Sequence, residues 1–356
     1  MIDHSSTEHV TLARRNGARG LAVPVMLAVS LGCNVAALIL PFLEIATLLE
    51  GHSTYSLPHS VQLMWNSKLY IIAVMIVGFS LLFPFAKLAL MTWIWFVMRD
   101  AGPRRALLEQ IESLGKWSFL DIFIVIIILV LTNDQLFVGA TPVVGLYLFV
   151  AAITLSMATA LVIERLSRPP APAEPGEPRA LASEAGWRGV IVIALLTVSV
   201  PALVAAVGLP FLKISQFLLK GHAYSVVRSV GALWSEDAYV LAVIVALTLI
   251  AVPMLCLAAL FIVWWRRIDR YGRRRWRAIL GPMWQWMMLD VFGLALLVFL
   301  TEGDSLVKTD VKPGLYLMLA AIIVLTTTYW LVMSANRREN LQDANKANRG
   351  RHRKAG

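Results

Sequence analysis

Charge is what this chain has least of. Only 15% of its 356 residues are Asp, Glu, Lys or Arg, against roughly 25% in soluble domains. Cysteine is almost missing. Cys33 and Cys256 lie in separate apolar runs, so they cannot build a zinc ribbon, which needs clustered ligands. They read as small packing residues. His52 and His222 fall in predicted turns with no second ligand at metal spacing. No Walker A loop, nucleophile elbow, HExxH helix or pair of catalytic carboxylates occurs. The expectation is a chain without resident metal, cofactor or enzymatic chemistry.

What fills the chain is apolar surface. Hydrophobic residues make up 58% of it and the mean hydropathy is +0.71. Crossing a bilayer takes about 20 apolar residues, and runs of that kind occur near 21–41, 69–98, 117–137, 142–163, 187–212, 238–265, 284–301 and 313–333. A polytopic, all-α membrane protein of eight transmembrane helices is predicted.

The net charge of +10 invites a nucleic-acid reading, but its distribution argues for topology. With the N-terminus placed in the cytoplasm, the inner segments hold 25 of the 32 Lys and Arg. The outer side holds Lys68, Lys213, Lys220, Arg228, Lys308 and Lys312, and Lys87 lies inside a run. That bias puts both termini in the cytoplasm, with attraction to anionic lipid as a second effect. The first twenty residues are polar and basic before a long apolar run, which fits an uncleaved first helix better than a removable signal.

The sequence also reads itself twice. A shift of 169 residues lays Pro41-Phe42-Leu43 on Pro210-Phe211-Leu212, Tyr55-Ser56 on Tyr224-Ser225 and Trp65 on Trp234. It also matches Pro84 with Pro253, Trp117 with Trp286, Asp121 with Asp290, and Gly145-Leu146-Tyr147 with Gly314-Leu315-Tyr316. Two tandem copies of a four-helix unit follow. Four crossings return the chain to its starting side, so the copies are parallel, not inverted. The predicted order is a cytoplasmic tail 1–20, a first repeat 21–164, a Pro-rich linker 165–186, a second repeat 187–334 and a basic tail 335–356. The linker is extended and the tail disordered.

Each copy has one substantial external loop, 42–68 and 211–237. A β-like stretch, a Glu-Gly or Lys-Gly turn and the Tyr-Ser pair predict a periplasmic β-hairpin, followed by a short surface helix. A lone hairpin is marginal, so the two hairpins are expected to pair into one sheet. Thr132-Asn133-Asp134 and Thr301-Glu302-Gly303-Asp304 read as short solvated loops. On the inner side, Arg104, Arg105, Leu107, Leu108 and Ile111 predict an amphipathic interfacial helix, as do Arg273–Arg277 around Trp276.

Charges inside the runs are costly unless paired or wet. Lys87 stands twelve residues before Arg99, roughly 18 Å into the helix at ~1.5 Å per residue, too deep for easy snorkelling. Pro84, and Pro253 in the second copy, remove a backbone donor and predict helix kinks. Asp121 and Asp290 open helices three and seven, where the dipole favours a carboxylate. The functional alternative is an ion pair or hydrogen-bond network between Lys87 and Asp121. Cys256 stands where Lys87 would recur. Asp290 is therefore left protonated, satisfied by water, or paired with Lys87 across the copies.

The duplicated unit, Phe83-Pro84-Phe85-Ala86-Lys87-Leu88 and Gly115-Lys116-Trp117-Ser118-Phe119-Leu120-Asp121-Ile122-Phe123 together resemble the paraquat-inducible protein A family of bacterial inner-membrane proteins. The resemblance covers about 21–164 and 187–334. It implies passage of phospholipid between membranes beside a periplasmic partner with mammalian-cell-entry (MCE) domains. It makes Lys87, Asp121 and Asp290 the intramembrane polar site, with Tyr55, Trp65, Tyr224 and Trp234 as loop contacts. Longer members carry zinc ribbons that this chain lacks. A non-transporting scaffold of an envelope complex and a proton-coupled exporter of small molecules stay open as alternatives.

Overall fold

Among the described residues, eight helical segments are long and apolar enough to cross a membrane: Ala22–Ile39, Val77–Phe96, Gly102–Thr132, Val144–Ser167, Gly189–Gly208, Tyr239–Trp265, Arg275–Thr301 and Pro313–Ala335. The computed structural model describes residues 11–47, 51–68, 70–132, 138–167, 186–214, 223–303 and 309–354. This is a multi-pass membrane protein, mostly helical, with two small sheets. The predicted linker lies almost wholly outside the described residues.

The first half begins with a short helix α1 (Leu12–Asn16) and the first span α2 (Ala22–Ile39). Strands β1 (Leu43–Thr47) and β2 (Gly51–Tyr55) lead to a surface helix α3 (Leu57–Asn66). The second span is α4 (Tyr70–Ile76), a π-helical stretch Val77–Leu82, and α5 (Phe83–Phe96). An amphipathic α6 (Ala101–Gly115) and a 3-10 turn lead into α7 (Leu120–Thr132), then β3 (Val138–Pro142) and α8 (Val144–Ser167).

The second half runs in the same order. It comprises α9 (Gly186–Gly208), β4 (Leu212–Ile214), β5 (Ala223–Tyr224), α10 (Val226–Ser235) and α11 (Tyr239–Val245). A π-helical stretch Ala246–Ala251 precedes α12 (Val252–Trp265), followed by α13 (Arg270–Trp286), α14 (Leu289–Gly303), β6 (Thr309–Val311) and α15 (Pro313–Lys354). In each half the first and last spans, α2 with α8 and α9 with α15, pack most extensively. The halves meet chiefly where α7 packs on α14, with Phe123 and Phe292 edge to face at 5.5 Å.

Three expectations need correction. The hairpins do not pair with each other. Instead the sheets have the orders β2-β1-β3 and β5-β4-β6, and the segment before the last span of each half supplies the third strand. Partners close at hand within each half satisfy the open edge that makes a lone hairpin marginal. His52 is no turn residue either, because it lies in β2 opposite Ala46, while His222 lies outside the described residues. The tail, read as disordered, continues α15 to Lys354. Its Ala, Arg, Glu, Gln and Lys are good helix formers, able to extend a helix already nucleated in the span.

The repeated motifs are the joints of this architecture. The Phe42 and Phe211 amides donate to the carbonyls of Tyr55 and Tyr224, at 2.7 and 2.8 Å. Gly145 N–H donates to the Pro41 carbonyl at 2.9 Å, and Gly314 N–H to the Pro210 carbonyl at 3.0 Å. A Cβ on either glycine would stand 2.4 or 2.3 Å from that oxygen. Glycine is required by this approach of one backbone to another.

Pro84 and Pro253 each stand two residues after the end of a π-helical stretch. Proline brings no N–H and crowds the carbonyl four residues back. The wider turn absorbs both defects.

Candidate intramembrane polar site

Lys87 projects from α5 and is 3% exposed. Its ammonium donates to Ser156 Oγ on α8 at 3.0 Å, and that hydroxyl donates to the Ile153 carbonyl at 2.9 Å. An ammonium carries three donors, and Ser156 is its one acceptor among the described residues. Room for the lysine comes from Gly115, where a Cβ would lie 3.1 Å from Nζ.

Asp121, in the first turn of α7, has both carboxylate oxygens buried without a hydrogen-bond partner. Ser80 Oγ, on the π-helical stretch that touches α7, is buried and unpartnered as well. The predicted Lys87–Asp121 pair is therefore not formed. Lys87 is held by α8 instead. Asp290 resolves differently from all three alternatives: Lys116, at the start of the 3-10 turn before α7, forms an ion pair with it, the side chains being 15% and 27% exposed. The second Asp290 oxygen accepts from Val291 N–H at 3.0 Å. Asp290 thus ties one half to the other.

These groups interrupt the apolar packing. On α8, Ile153 and Met157 belong to the large hydrophobic core that both halves share. Ala160 and Ile163 belong to a separate cluster with Leu88, Met91 and Trp95. Ser156 and Lys87 sit at that break. Chemically this is a dry place for a cation and a carboxylate, each short of partners. Such groups are expensive in a bilayer and mark ion or substrate paths.

The second half is built without the break. By the 169-residue shift, Leu249 stands for Ser80, Cys256 for Lys87, Trp284 for Gly115 and Leu325 for Ser156. Cys256 is 1% exposed, and it and Leu325 lie within the large core. Trp284 stacks on Tyr329 at 4.0 Å, occupying with aromatic rings the positions that Gly115 and Ala160 hold in the first half. Sequence reasoning alone does not mark Ser156, Ser80, Gly115 or Lys116 as site residues. The signal that could have found them was difference: each changes chemical class between copies.

Of the expected loop contacts, Tyr224 is 4% exposed and unavailable to a partner, and Tyr55 is half-buried beside His59. Trp65 and Trp234 are 54% and 55% exposed, each edge to face with Tyr70 or Tyr239. Exposed Trp–Tyr pairs at span ends suit the membrane–water boundary.

The sequence pattern of the paraquat-inducible protein A family matches residues 22–167 and again 191–341. The chain belongs to that family. Among its relatives, the intermembrane transport protein PqiA of Escherichia coli K12 is 24% identical over 148 residues, 40% of this chain and 35% of that protein. The Shigella flexneri protein of the same name matches to the same extent. The chain thus covers about a third of the length of these relatives. No solved structure matches it. The two matched segments enclose seven of the eight spans and all but the first two residues of Gly189–Gly208.

Proposed function

We propose that this chain is the inner-membrane component of an intermembrane lipid transport system, with both termini cytoplasmic and the two sheets on the periplasmic side. It passes phospholipid to or from a periplasmic partner with MCE domains. Lys87, Asp121 and Ser156 form the polar site in the first half, and Asp290 fastens the second half to it. The observation that carries this reading is Lys87, buried in a span with a single serine acceptor while Asp121 beside the bundle core has none. A buried cation with spare donors suits a phosphate headgroup. The name borne by the relatives, intermembrane transport protein, agrees in kind. The exposed Trp65 and Trp234 are the loop residues left for a partner to reach.

The test is lipid transfer in cells carrying Lys87→Met, Asp121→Asn or Ser156→Ala, with membrane insertion measured alongside. Loss of transfer at normal insertion supports the site. Full transfer in Lys87→Met rules it out. Crosslinking from position 65 or 234 to a periplasmic MCE-domain protein supports the partner; dependence on those positions alone, with Lys87 dispensable, makes the chain a scaffold.

A further inference from the structure

The halves meet through matching positions. By the 169-residue shift Phe123 corresponds to Phe292, and these two rings lie edge to face at 5.5 Å across the interface. A residue touches its own counterpart only close to an axis that exchanges the two halves. In such an isologous interface a contact from i to j implies one from j to i. Each contact near that axis should therefore occur twice.

One pair departs from this rule in its chemistry. Lys116 of the first half forms an ion pair with Asp290 of the second. The shift turns that pair into Gln285 and Asp121. Gln285 does reach the first half. It stands in the last turn of α13, 8% exposed, and its amide nitrogen lies 3.8 Å from where a Cβ on Gly115 would be. Gly115 is the residue before Lys116, and Lys87 Nζ borders the same gap at 3.1 Å. Gln285 has an interaction of its own, which holds it there. Asp121 is 5% exposed, and neither of its oxygens has a hydrogen-bond partner.

The more exposed of the two contacts is thus an ion pair, and the buried one has an amide where the ammonium would stand. Glutamine and lysine can both cross an interface of this kind, but an amide brings no charge to offset a carboxylate. An unbalanced carboxylate in a span is costly. The same chain meets that cost at Asp290 with Lys116 and leaves it unmet at Asp121.

We propose that Gln285 is a positioning residue of the polar site, contributed by the second half. It faces Asp121 and, being neutral, leaves that carboxyl open to the transported lipid. The first-half site is incomplete without the second half. The placement of Gln285 stands on the interface alone, while its role in transport rests on the function proposed above.

The test is a double-mutant cycle on the full chain in detergent, with Gln285→Lys, Asp121→Asn and the two together read as thermal midpoints. Lys87 is present in all four proteins, so its repulsion of a new ammonium cancels from the coupling. The double variant should fall further than the two single changes sum to, because the new charge is then buried without its partner. Lipid transfer is measured in cells beside it. Gln285→Lys should lose transfer at normal insertion, whereas Gln285→Met, neutral and of similar length, should keep it. Additive midpoints overturn the placement, since the new ammonium then does not reach Asp121. Equal loss of transfer in Gln285→Met and Gln285→Lys overturns the role given to neutrality. Full transfer in Asp121→Asn would sink the transport reading of the site and leave the midpoint coupling standing.

Discussion

The two halves share a scaffold and differ in what they bury. On the sheet side they are nearly interchangeable: Pro41 meets Gly145 as Pro210 meets Gly314. In the membrane they part company. The first half holds Ser80, Lys87 and Ser156 at a break between two hydrophobic clusters. The second holds Leu249, Cys256 and Leu325 in one continuous core. On the proposed reading, the motifs that recur between the halves serve to fold each of them, and those that do not recur mark the half that carries the polar site.

The largest effect should come from breaking what the halves share. Gly145→Ala drives a Cβ against the Pro41 carbonyl, and Gly314→Ala does the same at Pro210. Backbone atoms cannot swing aside as a side-chain tip would. Each variant should lose about 2–4 kcal/mol, read as a similar fall in thermal midpoint in detergent. A large loss in one half with none in the other would show that the joints are not equivalent.

Next comes the filling of the second half. Trp284→Gly copies Gly115 and removes a ring stacked on Tyr329. No lysine waits to use the space. It should cost about 2 kcal/mol, less than the roughly 3–5 kcal/mol for a fully buried aromatic because Trp284 is only partly buried, and a midpoint near wild type would mean the stack is not part of the core.

The spans were legible in the sequence because apolar runs set by bilayer thickness are a long-range regularity. The third strand of each sheet was not. β6 has three residues, too short to show alternation, and its pairing with β4 is non-local. The polar site was half legible. A lysine deep in a span announces itself, but its partner Ser156 is 69 residues away and looks like any serine in a helix. Lys116 read as an inner-loop charge, so its link to Asp290 on the other half was invisible to any local rule. Arg104 reads as one face of an amphipathic helix, and the packing of α6 on α8 is non-local.

Lys87→Met should separate function from stability. The substitution leaves Ser156 bonded to the Ile153 carbonyl and replaces a buried ammonium by an apolar chain of similar length. Removing a buried charge that has no acid partner relieves its desolvation cost, so the thermal midpoint should hold or rise while lipid transfer is lost. Cys256→Met, at the matching position, should leave transfer intact. If Lys87→Met instead falls in stability, the lysine is a structural clasp between α5 and α8 and the asymmetry has another cause.

The smallest effect expected is at the tie between halves. Lys116 and Asp290 are partly exposed, so their pair lies between surface bridges, worth about 0–1 kcal/mol, and buried ones. Lys116→Met should therefore cost about 1 kcal/mol in stability, because α7 and α14 remain joined by Phe123 and Phe292. Its interest lies in coupling. Asp290→Asn keeps the shape and removes the same attraction, and the double variant should lose no more than either single change if the two residues act only on each other. Additive losses would give Asp290 a second partner during the working cycle. That would extend the polar site of the first half across the interface into the second.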